Sequence, residues 1–185
     1  MIRAVLQEVE LRFETSPRLF SPGGIDPGTA AMLSRVAFAP DDKVLDLGCG
    51  YGPVGVLAAL LTAPEQVWMV DIDPLAVELS GRNLALNGAK GAHVQVSDGL
   101  RALDATGFSK ILINPPYHAD FAVPKHMIEK GFNRLALGGA MWMVTKRDAW
   151  YRNKLTAIFG GVRAELADGY WLFEAVKKRA SYAAR

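Results

Sequence analysis

The chain has 185 residues, of which 50% are hydrophobic, and its formal net charge is +2. This length suits a single domain over residues 1–185 with a sizeable core, and so small a charge does not require a nucleic-acid partner. No apolar run approaches the ~18 residues that span a bilayer, and charged residues interrupt the N-terminal segment, so we expect a soluble, cytoplasmic protein without a membrane partner. One cysteine excludes an internal disulfide or a cysteine-based zinc cluster, and three scattered histidines suggest no metal site.

The first 40 residues are the least regular part of the chain. They predict one strand, a loop at 21–28 that is rich in glycine and proline, and a helix at 29–38. Either Asp26 or Thr29 would cap that helix, since both residue types accept hydrogen bonds from helix N-terminal amides.

From residue 43 onward, short apolar runs alternate with longer helical patterns. The runs predict strands at 43–47, 66–72, 92–97, 110–114 and 140–146. The helical patterns predict helices at 53–62, 74–87, 124–137 and 148–159, the third ending at Gly138-Gly139. Two final runs at 162–166 and 170–176 predict a hairpin. The alternation indicates an α/β fold with a doubly wound, mostly parallel, Rossmann-like sheet of seven strands and an antiparallel closing hairpin.

The sequence DLGCGYG at 46–52 lies between the first of these strands and its helix. Open α/β sheets bind ligands at such a junction, where helix N-terminal amides meet a turn. Gly48, Gly50 and Gly52 allow the backbone to turn tightly and to approach a ligand. Cys49 occupies this turn and is interpreted as a small packing residue.

Three acidic residues indicate which ligand the turn binds. Asp71 ends the second strand at the spacing of an acid that binds ribose hydroxyls, and Asp98 follows the third strand, where it can accept from an adenine amino group. NAD is the rival ligand, but its fingerprint has a glycine where this chain has Pro53. Asp46, before the first glycine, suits a cationic ligand better than pyrophosphate. S-adenosyl-L-methionine, a sulfonium with an ammonium group, meets that description.

The turn Asn114-Pro115-Pro116-Tyr117 ends the fourth strand, on the same sheet edge as the glycine turn. The two prolines fix φ near −65° and lack N–H groups, so the turn is rigid and presents acceptors. The Asn114 side-chain oxygen and the Pro115 carbonyl can accept the two hydrogens of a flat amine, and Tyr117 can stack on its ring. The sequence therefore predicts methylation of an exocyclic amine.

The stretches VLDLGCGYGPVGV, VDIDPLAVELSGRNLALNG, SDGL and ILINPPYH together resemble class I S-adenosylmethionine-dependent methyltransferases that modify amino groups. LFSPGGIDPGTAAML resembles the upstream segment of the methyltransferase small family, typified by the catalytic domain of bacterial ribosomal-RNA guanine-N2 methyltransferases. The resemblance covers residues 19–176. It implies S-adenosylmethionine as cofactor, S-adenosylhomocysteine as product and no metal.

The resemblance also implies roles for individual residues, in four groups. Catalysis falls to the turn of Asn114, Pro115, Pro116 and Tyr117. Cofactor binding falls to Thr29, Asp46, Gly48, Cys49, Gly50, Gly52, Asp71, Ile72, Asp98 and Asn114. The segment within residues 1–40 would pack over the site, including Gly24, and substrate contacts would come from Phe20, Asp26, Tyr117 and His118. The two-domain enzymes carry an additional N-terminal domain that helps to bind RNA, and we expect this chain to act without one.

Three functions remain open at this point. The first is methylation of a guanine N2 in ribosomal RNA, and the second is N-methylation of a protein glutamine, because release-factor methyltransferases resemble the same turn. The third is a non-catalytic cofactor-binding module. For the RNA function, Lys146 and Arg147 follow the fifth strand on the edge that carries Asn114, so they are predicted to contact phosphates. We expect a monomer or a weak homodimer.

Overall fold

The computed structural model describes residues 1–116 and 120–182. The strands are β1 (Ile2–Leu6), β2 (Val9–Phe13), β3 (Val44–Leu47), β4 (Val67–Asp71), β5 (His93–Val96), β6 (Phe108–Ile113), β7 (Leu135–Thr145), β8 (Arg163–Ala167) and β9 (Tyr170–Val176). The helices are α1 (Pro27–Leu33), α2 (Pro53–Leu61), α3 (Pro74–Leu86), α4 (Ala122–Arg134) and α5 (Ala149–Phe159). Within the described ranges, no helix has the length and apolar character needed to cross a membrane.

Seven strands form one sheet in the order β5-β4-β3-β6-β7-β9-β8. The first five strands in this order, β5, β4, β3, β6 and β7, are parallel to one another. Strand β9 pairs antiparallel with both β7 and β8. The predicted α/β fold, with a mostly parallel seven-stranded sheet and a closing hairpin, is confirmed. The chain runs outward from β3 to β5 and then returns to the other side of β3 with β6. The carboxyl ends of β3 and β6 therefore flank a topological switch point, where such sheets bind ligands.

The core lies on both faces of this sheet because successive strand side chains point to opposite sides. Val44 and Leu112 join the cluster that packs against α2, α3 and the N-terminal segment. Leu45 and Ile111 join the cluster that packs against α4 and α5. All four residues of β3 are buried, and one of them is the acidic Asp46. An ionisable group inside an otherwise apolar strand marks this end of the sheet as functional.

The N-terminal segment differs from the prediction, because it forms a two-stranded hairpin rather than one strand. Gln7 and Glu8 make the turn between β1 and β2 with φ of 47° and 65°. Such turns favour Asn-Gly pairs, which is why these two residues gave no turn signal. The side chain of Gln7 donates to the carbonyls of Leu33 and Val36, at 2.6 and 2.7 Å. These bonds satisfy the carbonyl of the last residue of α1 and that of a residue just past it, and the helix ends at Leu33 instead of residue 38.

The prediction that Gly138-Gly139 end a helix is wrong. Helix α4 already ends at Arg134, and both glycines lie within β7. A Cβ on Gly139 would lie 2.6 Å from the carbonyl oxygen of Phe108, and the register between β6 and β7 shifts next to Phe108. The glycines therefore allow a β-bulge and a close approach of two backbones, which is the other common reason for glycine in a chain segment.

Candidate active site

A cavity of about 570 Å³ opens at the carboxyl ends of β3, β4 and β6. This volume is in the usual range for small-molecule sites. Within the described residues, Gly24, Gly52, Lys146 and Arg147 do not line the cavity, and Tyr117 and His118 lie outside the described ranges. The other predicted site residues all line it: Phe20, Asp26, Thr29, Asp46, Gly48, Cys49, Gly50, Asp71, Ile72, Asp98, Asn114, Pro115 and Pro116.

The glycine turn (residues 48–52) folds over the end of β4. Gly48, Gly50 and Gly52 have φ of 81°, 56° and 98°, a region that side chains disfavour. A Cβ on Gly52 would also lie 2.8 Å from the methyl carbon of Met69. Gly52 thus permits packing of the turn against β4, while Gly48 and Gly50 present their backbone to the cavity.

Cys49 and Ser80 fix the inner side of the glycine turn. The backbone amide of Cys49 donates to the carbonyl of Val70, and the hydroxyl of Ser80 donates to the carbonyl of Gly50 at 2.9 Å. The Cys49 sulfur lies 3.4 Å from the Ser80 oxygen. Burial raises the pKa of the Cys49 thiol well above its ordinary value, so the thiol stays protonated at neutral pH, as expected of a packing residue.

Asp71 holds the shape of the glycine turn with its carboxylate. One oxygen accepts from the amide of Gly50 at 2.8 Å, and the other accepts from the amide of Asp73 at 3.0 Å. Each carboxylate oxygen can accept two hydrogen bonds, so each keeps one position for a ligand hydroxyl. The arrangement suits the ribose-binding role that the sequence predicts for Asp71.

Asp46 is buried beneath the same turn, with 3% of its surface exposed. Its Oδ2 accepts from the amide of Gly55 at 2.8 Å. Burial raises the pKa of Asp46 to about 7, an effect that the hydrogen bond from Gly55 opposes and the nearby charge of Asp71 reinforces. A positively charged ligand in the cavity would favour the ionised carboxylate and lower this pKa again.

Asn114 is held in one orientation by two residues of the upstream segment. Its Nδ2 donates to Asp26 Oδ2 at 3.0 Å and to Thr29 Oγ1 at 2.9 Å. The carboxylate can only accept, so the amide nitrogen must face it. The Asn114 Oδ1 is buried and has no hydrogen-bond partner among the described residues. A buried acceptor without a donor costs about 1–3 kcal/mol, which a ligand N–H would recover.

The same upstream segment is tied to the glycine turn. Tyr51 donates its hydroxyl proton to the carbonyl of Gly24 at 2.9 Å, and burial followed by the charge of Asp26 raises the pKa of Tyr51 to about 12. Asn83 exchanges hydrogen bonds with the backbone of Glu14 and donates to the carbonyl of Tyr51. Sequence reasoning missed Tyr51 and Asn83, although both lie inside motifs that it used. An asparagine facing inward on α3 was the available signal.

The rim of the cavity is partly apolar. Ile72 and Phe20 are 65% and 55% exposed, although both are large hydrophobic side chains. Asp98 stands beside them with its carboxylate in an ion pair with Arg101. Exposed apolar side chains around a concave site commonly cover a flat ligand, so these residues suit the adenine end of a nucleoside.

Lys146 and Arg147 begin the segment after β7, outside the cavity. The Lys146 ammonium lies 5.3 Å from the ring centre of Tyr170, and the Arg147 guanidinium lies 5.1 Å from that of Phe121. The structure thus brings together the predicted cofactor and amine-binding residues but sets these two cations apart from them. Their predicted contact with phosphates stays a prediction.

The charge of the cavity lining is strongly acidic. Only one lining residue, Arg18, carries a permanent positive charge among the residues that the structure describes. Against it stand five carboxylates, those of Asp26, Asp46, Asp71, Asp73 and Asp98. This field attracts a cation and repels a pyrophosphate. No group of three or more potential metal ligands occurs in the described ranges.

The chain is similar to methyltransferases of nucleic acids over most of its length. A family described as the methyltransferase small domain matches residues 10–174. The "Ribosomal RNA small subunit methyltransferase C" of Pseudomonas putida (strain GB-1) is 33% identical over 176 residues, which make up 92% of this chain and 52% of that protein. The "Uncharacterized protein YbxB" of Bacillus subtilis (strain 168) is 29% identical over 178 residues and is covered over 89% of its length.

A solved structure gives the same picture. The T. thermophilus 16S rRNA N2 G1207 methyltransferase, in complex with AdoMet and guanosine, superposes with a TM-score of 0.86 at 28% identity. The match covers 95% of this chain and 50% of that one. The chain therefore spans about half the length of the rRNA methyltransferases that it resembles, and most of the length of the B. subtilis relative.

Proposed function

The chain belongs to the methyltransferase small domain family, and on that premise we propose that it transfers a methyl group from S-adenosylmethionine to the exocyclic N2 amine of a guanine in ribosomal RNA. The observation that carries the proposal is Asn114, whose amide is oriented by Asp26 and Thr29 and whose buried oxygen has no partner. An oxygen in this state accepts a hydrogen bond from an N–H group. An amine with two hydrogens and a delocalised lone pair needs such an acceptor.

The residues of the cavity fit S-adenosylmethionine better than a dinucleotide. Its lining combines five carboxylates with one arginine, which favours a sulfonium and an ammonium group over pyrophosphate. In the proposal, Asp71 binds the ribose, Asp98 and Ile72 hold the adenine, and the backbone of the glycine turn with the carboxylate of Asp46 receives the amino-acid portion. Gly52 and Cys49 support the turn from below.

The chain's own part in the reaction is to orient the amine. When bound, S-adenosylmethionine would supply an electrophilic methyl group on a positively charged sulfur that can leave with the bonding electron pair. The Asn114 Oδ1 and the Pro115 carbonyl accept the two amine hydrogens, which directs the nitrogen lone pair out of conjugation and towards the methyl. Because neither oxygen takes up a proton at neutral pH, the proton that the product nitrogen loses passes to water. Positioning of this kind can supply much of the rate enhancement.

The substrate assignment draws on the names of the similar proteins. The P. putida relative is named for small-subunit rRNA, and the T. thermophilus structure contains guanosine. We propose that Pro116, Tyr117, His118 and Phe20 surround the guanine of this chain's substrate, and that Lys146 and Arg147 contact its flanking phosphates. The reaction would take place in the cytoplasm, where ribosomes assemble.

Mass spectrometry of nucleosides tests this proposal directly. The protein is incubated with deuterated-methyl S-adenosylmethionine and unmodified ribosomal RNA, which is then digested to nucleosides. We expect labelled N2-methylguanosine, and the same nucleoside should be missing from rRNA of a deletion strain. Label on any other nucleoside would contradict the choice of amine.

A parallel incubation with release factors and ribosomal proteins tests the glutamine alternative, since a glutamine amide could use the same two acceptors. Label in a protein and none in RNA would replace the proposed substrate. Cofactor binding by calorimetry, without transfer to either class of molecule, would instead support a non-catalytic module.

A further inference from the structure

A second cavity, of about 470 Å³, lies between α4 and residues 100–106. We call it the basic groove, and it is lined by Leu100, Arg101, Thr106, His126, Lys130, Asn133 and Arg134. His126, Lys130 and Arg134 follow one another at intervals of four residues, so they share one face of α4. None of the described residues that line the groove is acidic.

The cations of the basic groove are only partly neutralised. Arg101 forms an ion pair with Asp98, whereas Lys130 has no acidic partner within residues 1–116 and 120–182. Arg134 donates from Nη1 to the carbonyl of Ala105 at 3.3 Å and keeps its other donors for a ligand. Of the three permanent cations that line the groove, only Arg101 forms an ion pair within the described residues. By contrast, Arg152 and Lys154, on the next helix, are each paired with an acid.

The basic groove adjoins the cofactor cavity. Residues 98–101 separate the two, since the first two of them line the cofactor cavity and the last two line the groove. The imidazole of His126 stands at this boundary, because a Cβ on Gly99 would lie 3.0 Å from its Cδ2. The His126 Nε2 is buried there and has no hydrogen-bond partner among the described residues. The groove therefore continues along α4 from the edge of the site.

The dimensions of the groove suit a nucleic-acid strand. From His126 to Arg134 the helix rises about 12 Å, at ~1.5 Å per residue. Nucleotides stacked in one strand rise ~3.4 Å each, so the groove can follow roughly three or four of them. Guanidinium and ammonium groups are the side chains that bind phosphate oxygens best.

We propose that the basic groove binds the phosphodiester backbone of the RNA strand that carries the target guanine. This inference rests on the function proposed above and adds a second contact surface to it. The acidic cofactor cavity attracts a cation, and the neighbouring basic groove attracts a polyanion, so the two ligands are sorted by charge. Contacts to phosphates carry no sequence information, and they fix the strand in place while the base is read elsewhere.

A salt series with a matched control tests the proposal. The groove variant carries Lys130→Gln and Arg134→Gln, and the control carries Lys90→Gln and Arg3→Gln, two exposed cations away from both cavities. Affinity for a fluorescent single-stranded RNA that contains the target guanine is measured by anisotropy. Each lost phosphate contact lowers the log–log salt slope by ~0.7, so the groove variant should lose about 1.4. Between about 50 and about 200 mM salt, wild-type affinity should then fall about sevenfold more than that of the variant.

Further outcomes of these measurements test the groove assignment separately from the proposed substrate. An unchanged salt slope in the groove variant, or an equal decrease of the slope in the control variant, would overturn the groove assignment. The proposed function would still stand in that case if the wild type methylates RNA. Absence of RNA binding and methylation in the wild type, with S-adenosylmethionine still bound, would remove the proposed substrate itself.

The imidazole NMR signal of His126, assigned with His126→Gln, should shift on adding RNA. A shift with inorganic phosphate and none with RNA would mark a site for free anions and refute the proposal.

Discussion

Replacing Asn114 by alanine removes the buried acceptor on which the proposed chemistry depends. The Oδ1 of Asn114 has no partner within the described residues, so its loss breaks no hydrogen bond of the ligand-free protein. Its function should therefore appear only when an amine is bound. We expect kcat for methyl transfer to fall by ~100-fold or more, since one aligned group at a reacting centre is worth about 2.7 kcal/mol or more.

The same substitution has a second effect on stability, through the other end of the amide. Nδ2 donates to the carboxylate of Asp26 and to the hydroxyl of Thr29. Loss of one charged and one neutral hydrogen bond costs about 2–4 kcal/mol, whereas removal of the unpartnered Oδ1 returns about 1–3 kcal/mol, so the free energy of unfolding should fall by at most about 3 kcal/mol. For a chain of this size that corresponds to a decrease in Tm of at most about 12 °C. Activity must therefore be compared well below the lowered Tm.

Two measurements separate chemistry from binding. Single-turnover methylation of RNA gives the rate of transfer, and calorimetry gives the affinity for S-adenosylmethionine, which should stay within about threefold of wild type, a change below ~0.7 kcal/mol. Thr29→Val is the control, because it removes one of the two acceptors of Asn114 Nδ2 and leaves Oδ1 in place. Thr29→Ser keeps both acceptors of Nδ2. An Asn114→Ala protein that transfers methyl groups at the wild-type rate would refute the assignment, as would equal losses of rate and cofactor affinity.

Three further predictions concern the cofactor cavity and the glycine turn beside it. Asp71→Ala should weaken S-adenosylmethionine binding by ~1.5 kcal/mol or more, because a hydrogen bond to a charged group contributes about this much. Calorimetry measures the loss of affinity, with NADH as the comparison ligand. Burial holds the pKa of Asp46 at about 7, above its ordinary 3.8, so the folded protein binds the extra proton between these values. The stability of the ligand-free protein, measured as Tm, should then decrease as pH rises through this window and level off above it. Asp46→Asn should flatten that decrease. The same dependence of Tm on pH in the variant and the wild type would contradict the burial effect. Gly52→Ala should lower the free energy of unfolding by at least ~1–2 kcal/mol, because its φ is 98° and a Cβ would meet Met69, and chemical denaturation measures this.

The fold could be predicted where local patterns and global structure agree. Apolar runs alternating with helical patterns sufficed for the seven-stranded sheet, because a strand buried on both faces has few other solutions. The prediction failed where one residue type serves two different structural purposes, or where a turn lacks the residue types that usually form it. Gly138 and Gly139 look like a helix end but serve a bulge, and Gln7 and Glu8 give no turn signal although both adopt positive φ. In each case a contact from a distant part of the chain decides the local conformation.

The candidate site divides in the same way. The glycine turn and the Asn-Pro-Pro-Tyr sequence that starts at Asn114 are contiguous motifs, so their chemistry can be inferred from neighbouring residues. The orientation of the Asn114 amide cannot, because its partners lie 88 and 85 positions earlier in the chain. The basic face of α4 was within reach of sequence reasoning, since a spacing of four between His126, Lys130 and Arg134 defines one helix face.

The hydrogen bonds that join Asn114 to Asp26 and Thr29 also constrain how this protein can evolve or be engineered. A copy of the sequence at 114–117 placed in another scaffold would bring the acceptor oxygen but not the partners that orient it. The transferable unit is therefore this sequence together with residues 24–29, which Tyr51 attaches to the glycine turn. Across related sequences we expect positions 26, 29 and 114 to change together or not at all, and a library that varies them jointly should contain more active variants than one that varies them singly.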